Sequence, residues 1–361
     1  MSFTFEFSIL PKVNHAIIEI ERVRGFLDAV KAKKNRLLDM QNEVLMLESH
    51  YSTHIEGTEL TLNESKDILE DIPVKDVNSE DKQELLNYRE ALKFICKYLN
   101  TNTPVTEQLI KEIHRITVKD VRNNQAEPGN YRKVQNHVVN LKTQEIIYTP
   151  PPSSEVPRLM KEFVMWLNKK KEFLSPVFIA GIAQIQLVNI HPFVDGNGRT
   201  ARLLATLILY KKGYNFKQLF SISEYYDKDR PAYYEAIRSV SQNDMDLTLW
   251  LEYFVKGLQF QISKIREKAE NIIQLELLIE QLNSCKLNDC QEKIIGYIFL
   301  KESIDNEKCQ KLCCLTKTNS TRNLTYLVKE NLIETKDHEN ISSYLFSNLV
   351  LGIIKNIKKH R

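Results

Sequence analysis

Glycine is scarce in this chain, 10 in 361 residues. Apolar residues recur mostly at helical spacing, so an extensive β-architecture is not expected and the chain reads as mainly α. Charge of one sign is also lacking. Fifty Lys and Arg face 47 Asp and Glu, a net charge of +3. No global field then argues for nucleic acid or membrane as a partner. Long apolar runs are absent. The most apolar stretch, Val177 to Ile190, is interrupted by Gln184, Gln186 and Asn189, so no bilayer span is expected. Six cysteines are present, Cys96, Cys285, Cys290, Cys309, Cys313 and Cys314, with no CxxC pair. That pattern predicts free thiols in a reducing, cytoplasmic setting and gives little support to a zinc site among the C-terminal five. The start, Met1 to Glu6, lacks a basic segment and a long apolar stretch, so no signal peptide is expected. The length leaves room for two or three domains.

Four regions are expected. Residues 1–102 read as an N-terminal helical region, with Glu19 to Glu48 as a long charge-laced helix, and Asn63 to Glu70 and Lys82 to Leu99 as two more. Residues 103–255 form a second domain. It opens on Thr103-Pro104, a cap residue followed by proline in the first helical position. Within it, Asn136 to Tyr148 carries β-branched residues on both sides of Lys142-Thr143-Gln144, which reads as a short hairpin ended by Pro150-Pro151-Pro152. Helices resume over Ser154 to Lys171 and over Val177 to Ile190. The latter is apolar nearly all round, as a central buried helix is. A further helix runs from about Gly198 to Lys211 and stops at Gly213. After Ser241 a long helical stretch reaches about Leu282, so 256–287 reads as a connecting helix. Residues 288–361 read as helix, short helix, helix, and then two strands, Leu332-Ile333-Glu334 and Tyr344-Leu345-Phe346, around a polar turn. That order is a winged helix-turn-helix.

The densest chemistry lies in His191-Pro192-Phe193-Val194-Asp195-Gly196-Asn197-Gly198-Arg199-Thr200-Ala201-Arg202. Gly196 and Gly198 let successive N–H groups turn into one concavity, and the following helix adds its N-terminal dipole there. Asn197 can donate to a phosphate oxygen. Arg199 and Arg202, three apart on a helix, can both face phosphates. Asp195 is an oxygen ligand suited to Mg²⁺. His191 titrates near working pH and can serve as a general base. Base, metal carboxylate, anion cradle and two arginines together suit a nucleoside triphosphate.

This segment resembles the motif H-x-F-x-[D/E]-G-N-G-R-x-x-R of the Fic family at every position. The resemblance implies a Fic-fold helical core and an enzyme that moves AMP from ATP to a hydroxyl on a target protein, releasing pyrophosphate. It implies that His191 deprotonates that hydroxyl. Asp195 would hold Mg²⁺, residues 196–198 would bind phosphates, and Arg199 and Arg202 would hold the β/γ end. The related Doc-type kinases carry lysine at the position of Gly198, so nucleotidyl rather than phosphoryl transfer is expected. Upstream, Ser52-Thr53-His54-Ile55-Glu56-Gly57 resembles the family's inhibitory pattern [S/T]-x-x-x-E-[G/N]. Ser52 and Glu56 share a helix face at i and i+4, and Gly57 suits a helix stop. The resemblance implies an inhibitory helix over about 43–57, whose Glu56 pairs with Arg202 against the γ-phosphate.

It further implies that the hairpin 136–148, preceded by Glu127-Pro128-Gly129-Asn130-Tyr131-Arg132, is a flap offering an edge strand to the target. Tyr233-Tyr234 resembles a tyrosine pair near the adenine, with Tyr234 as the nucleotide-side member, and Gln186 recurs in relatives. Core packing serves the tyrosines equally well, and helix capping serves Gln186. Two alternatives stay open. Glu56 could position a water and remove AMP from a modified protein. Or the loop could sense nucleotide for a DNA-binding regulator, the terminal module using Lys317, Arg322 and Lys329, although Glu330, Glu334, Asp337 and Glu339 dilute that patch. That module could equally dock a protein or build a homodimer.

Overall fold

The fold is described here from a computed structural model, which describes residues 5–30, 34–99, 101–139, 146–169, 171, 173–216, 220–282, 285–338 and 341–359. By compactness the chain divides into two units, residues 1–29 with 34–265, and residues 30–33 with 266–361. Among the described residues no helix is long and apolar enough to cross a membrane.

In the first unit most of the elements are helical. Helix α1 spans Pro11–Ala29 and α2 Lys34–Ile55. The single helix expected over 19–48 is therefore two. No glycine or proline lies between them. Helix α3, Leu62–Leu69, starts at a capping box in which the Thr61 hydroxyl and the Glu64 carboxylate serve each other's backbone N–H groups. Helices α4, Ser79–Cys96, and α5, Glu107–Thr117, follow. The start of α5 corrects the expectation at Thr103. The cap is Thr106, whose hydroxyl accepts from Leu109 N–H at 3.1 Å. Two Thr candidates stand three residues apart, and the inward face of the helix that starts at the second carries Leu109, Ile110 and Ile113.

Strands β1, Val138–Val139, and β2, Ile146–Tyr148, pair antiparallel. The tip of the hairpin, 140–145, lies outside the described residues. Helix α6, Val156–Asn168, leads to α7, Pro176–Ile190, capped by Ser175. Almost every residue of α7 is buried, and its apolar side chains contribute about 1.5–3 kcal/mol each when fully enclosed. Helix α8, Asn197–Lys211, packs along it, with α9, Ser223–Lys228, and α10, Arg230–Gln242, beyond. Helix α11 runs from Thr248 to Gln281. Its Trp250 is fully buried and donates its indole N–H to the Gly181 carbonyl at 2.8 Å.

The second unit carries α12, Asp289–Lys301, β3, Ser303–Asp305, α13, Asn306–Cys313, α14, Lys317–Lys329, β4, Ile333–His338, β5, Ile341–Phe346, and α15, Asn348–Lys359. The sheet order is β3-β5-β4, all antiparallel, with Ile333 opposite Phe346. Its core gathers Ile294, Ile295, Ile298, Ile304, Leu324, Leu327 and Phe346. The sequence reading lacked β3 and α15. Three residues are too few for a period-2 signal, whereas α15 does carry a cap, Ser347, whose Oγ accepts from Val350 N–H at 3.4 Å. The free-thiol expectation is also corrected. Cys290 and Cys313 form a disulfide across 23 residues, with Cα atoms 5.6 Å apart. Cys96, Cys285, Cys309 and Cys314 stay unbridged. Folding of α13 onto α12 creates that pair, and sequence spacing cannot show it.

Candidate functional site

The site sits where α7 ends and α8 begins. His191 closes α7 in the left-handed conformation, φ 51°, ψ 56°, while its N–H still bonds Leu187 O at 3.0 Å. Such a conformation on a non-glycine residue is costly and persists only where its surroundings enforce it. Here Arg132 enforces it, donating from Nε to the His191 carbonyl at 2.8 Å. The imidazole Nδ1 lies 3.1 Å from the Val188 carbonyl. A carbonyl can only accept, so in the neutral ring Nδ1 carries the hydrogen and Nε2 keeps its lone pair. Burial holds the His191 pKa below the ordinary imidazole value, outweighing the Val188 bond.

The next turn is built by its own side chains. Asn197 accepts from Phe193 N–H at 2.9 Å and donates back to Phe193 O at 2.9 Å. Its amide, in a residue 3% exposed, clasps the loop from inside. Phe193 stacks on His114 with ring centroids 3.7 Å apart. Gly129 N–H donates to His114 Nδ1 at 3.0 Å, so Nε2–H donates to Asp195 O at 2.9 Å. Burial pushes the His114 pKa down to about 4, which keeps that tautomer neutral at pH 7.

Gly196 stands at φ 74°, and a Cβ there would strike Val118. Gly198 needs its missing Cβ for a different reason, because the Glu56 carboxylate and the Arg202 guanidinium crowd the place it would take. Behind them α8 opens its first turn, whose N–H groups have no intrahelical acceptors.

Asp195 is half-buried and faces three cationic or N–H groups. Arg122 Nη1 donates to it at 3.0 Å, Arg199 lies 3.4 Å away, and Gly196 N–H donates at 2.6 Å. Burial alone would raise its carboxyl. Arg199, the Gly196 N–H and Arg122 outweigh that and hold it below the usual range, so it is charged at neutral pH. A hard, ionised oxygen donor beside an anion cradle is the donor type that magnesium takes.

Arg199 and Arg202 are 1% and 0% exposed. Both were expected to face phosphate, and here both are engaged by carboxylates. Arg199 Nη1 donates to Glu84 of α4 at 2.7 Å. Arg202 Nη2 donates to Glu56 at 2.7 Å and to Ser52 O at 2.9 Å, and its Nε donates to Ser52 Oγ at 2.8 Å. The i, i+4 pair thus meets one guanidinium, Ser52 from the last turn of α2 and Glu56 from just past its end. Gly57, at φ 111°, follows the helix end. Helix α2 is held in place by Glu48, which accepts from Tyr88 OH at 3.1 Å, Ser221 Oγ at 2.7 Å and Ser223 N–H at 3.0 Å. His54 adds a contact to Asp227 at 2.9 Å.

Tyr234 is 41% exposed and donates its hydroxyl to Ile55 O at 3.1 Å, whereas buried Tyr233 accepts from Arg202 at 3.4 Å. Gln186 is buried in α7, with its amide nitrogen unpaired. The flap root is tied to the loop. Tyr148 OH donates to Asn189 O at 2.8 Å, and Asn136 Nδ2 to Phe193 O at 3.1 Å.

Sequence reading did not reveal Glu84, His114 and Arg122, and it offered Arg132 only as part of the stretch before the flap. Glu84 carried a usable signal. It falls on the stripe Glu84, Tyr88, Ala91, Leu92, Ile95, a carboxylate on an otherwise apolar face. A Glu84→Ala variant is expected to lose roughly 3–5 kcal/mol, because a buried guanidinium loses its best partner. Urea midpoints of the two proteins test this, and Glu84→Gln, which keeps an acceptor for Arg199, should lose less.

A family model described as Fic/DOC family matches residues 104–209. A protein adenylyltransferase Fic from Aedes aegypti is 32% identical over 243 residues, covering 64% of this chain and 47% of that protein. One from Drosophila melanogaster is 34% identical over 197 residues, covering 54% and 38%. The chain spans about half or less of the length of these curated relatives. Among solved structures, a Fic family protein from Desulfovibrio desulfuricans superposes with TM-score 0.67 at 19% identity, over 96% of this chain and 99% of that one. At that identity the likeness shows the fold. A Fic domain containing signaling protein from Bacteroides thetaiotaomicron has TM-score 0.59 at 26% identity, over 71% and 96%.

Proposed function

This chain belongs to the Fic/DOC family, and from that premise we propose that it is an autoinhibited protein adenylyltransferase. It transfers AMP from ATP to a hydroxyl of a target protein and of itself. The observation that carries the reading is the proton-free Nε2 of His191 standing beside the first turn of α8 and the ionised Asp195.

In this reading Nε2 takes the proton of the target hydroxyl. The freed oxygen bonds to the α-phosphorus, and the bond from that phosphorus to the bridging oxygen breaks, releasing pyrophosphate. The α8 N-terminus and its glycines cradle the phosphates. Asp195 would hold a magnesium ion, which when bound supplies charge neutralisation along the phosphates. The protein's own contribution is positioning and fixed charge. Exposed Ile146 and Ile147 on β2 support the flap 136–148 as the strand that receives the target segment.

Glu56 supports the inhibitory part of the reading. Its carboxylate lies over Gly198 and holds Arg202, so a negative group fills the ground of the anion cradle. Removal of AMP from a modified protein by a Glu56-positioned water is the second use of the same site. The nucleotide-sensing reading rests on the second unit, which we propose is a winged helix-turn-helix. The exposed side of α14 shows Lys317, Thr318, Thr321, Arg322 and Lys329, with no acidic residue in the helix, as a groove-reading helix would. Salt-dependent retention on immobilised duplex DNA would favour it, and dimerisation or protein docking are the other uses of such a module.

The assay that tests the main proposal incubates the protein with Mg²⁺ and ATP labelled on the α-phosphate, then on the γ-phosphate. Label is expected on the protein from the α-position only, with the mass gain of one AMP. Transfer of γ-label would mean phosphoryl transfer and overturn it. Binding of ATP with no transfer, even in the Glu56→Gly variant, would favour the sensing reading.

A further inference from the structure

The second unit holds three cysteines that the site does not use. Cys309 and Cys313 stand four apart on α13, hence on one face, and Cys290 is the second residue of α12. Their three sulfur atoms all lie within 4.8 Å of one another. Cys309 is fully buried, and the other two are half-buried at its side. Cys290 and Cys313 are joined as a disulfide, and Cys309 stands beside them with a free thiol.

We propose that these three residues form a binding site for a thiophilic cation such as Zn²⁺, a site that opens when the Cys290–Cys313 disulfide is reduced. The geometry suits it. Zinc–thiolate bonds of about 2.3 Å in a tetrahedral shell place their sulfurs roughly 3.8 Å apart. The three sulfurs already lie within 4.8 Å of one another, and breaking the Cys290–Cys313 bond lets those two part toward that spacing. Soft thiolates select such ions over magnesium, which keeps the site distinct from Asp195. Three protein ligands leave a fourth position, open on the side of half-buried Cys290 and Cys313, for water or a small ligand.

The chemistry balances in two steps. A dithiol reductant gives two electrons and two protons to the disulfide and itself becomes a cyclic disulfide. Cys290 and Cys313 become thiols. The cation then binds the three sulfurs, and three protons leave to solvent. Either state, the covalent bond or the ion, fastens α12 to α13, and so sets the turn that leads from left-handed Cys314 to the Thr316 cap of α14. The second unit therefore has a redox-exclusive cross-link at the root of its helix-turn-helix.

The test uses the full chain, reduced with excess dithiol and freed of it without air, then titrated with Cd²⁺ while thiolate-to-metal charge-transfer absorption is followed. One Cd²⁺ per chain is expected. The same protein re-oxidised with its disulfide intact should take up the ion at least about tenfold more weakly, as should reduced Cys309→Ser. Reduced Cys314→Ser, which removes an exposed thiol outside the cluster, should bind like the native chain. Circular dichroism before titration confirms that each variant is folded. No charge-transfer band in the reduced native chain, or an unchanged band in Cys309→Ser, would overturn the proposal and leave the disulfide as a plain cross-link. The oxidised–reduced comparison needs no substitution, so a variant that fails to fold does not remove the test.

Discussion

Glu56→Gly is expected to raise AMP transfer onto the protein itself by about tenfold to a hundredfold over the native chain. The Glu56–Arg202 contact is charge-assisted, 2.7 Å long and mostly shielded from water. Such a bond contributes about 1.5–3 kcal/mol, which as a shift between closed and ATP-competent states is that range of rates. Two features keep the variant folded. Arg202, fully buried, retains Ser52 Oγ and Ser52 O as acceptors. And position 56 lies past the end of α2, in the turn with Gly57, where glycine costs little.

The gain should need Arg202, so Glu56→Gly with Arg202→Ala should fall back. Glu56→Gln, which keeps the bulk over Gly198 but not the charge, should land between. Side-by-side assays with α-labelled ATP decide it. Equal rates for native and Glu56→Gly proteins, with matching thermal midpoints, would mean that α2 does not inhibit. Loss of AMP removal from a modified target in the same variant would turn weight to the reverse reaction.

Much of the site was legible because its chemistry is contiguous. Residues 191–202 lie in one segment, and the i, i+4 rule alone placed Ser52 and Glu56 on one face. What was hidden depends on long sequence separations. Arg199 meets Glu84 from 115 residues away, and His114 meets the Asp195 carbonyl from 81. A sequence shows neither partner, only that a carboxylate on the apolar stripe of α4 must find one. Residue roles were harder than residue positions. Asn197 was read as a phosphate donor by its chemical type, and its bonds to the Phe193 backbone, which close the turn, were not foreseen.

Fold reading failed in the same way. The expected helix 19–48 looked continuous because nothing local breaks it, and Thr103 looked like a cap because Thr-Pro is a good start anywhere. The structure has α1, α2 and the Thr106 cap instead. The disulfide and the cysteine trio are the extreme case, created only when α13 folds onto α12.

His191→Asn is expected to lower transfer by about a hundredfold to ten-thousandfold, the range that a positioned base contributes, while ATP still binds. The phosphates are assigned to the first turn of α8 and the magnesium ion to Asp195, while the imidazole bonds to the Val188 carbonyl. Asparagine is chosen over alanine because position 191 sits at φ 51°, where asparagine is tolerated and alanine is strained. The loop should therefore survive, held still by Arg132 on the residue-191 carbonyl.

The native pH profile should carry a matching signature. Burial lowers the His191 pKa, so the lone pair on Nε2 stays available below the ordinary imidazole value of about 6.5. Activity should then fall only on further acidification, as the ring gains its second proton, and this acid limb should vanish in the residual activity of His191→Asn. Calorimetry gives the ATP affinity, and the α-label assay across pH, run in the Glu56→Gly background for signal, gives the rate. Unchanged transfer in His191→Asn would remove the base from the mechanism. Loss of ATP binding together with activity would make His191 a structural residue of the loop instead.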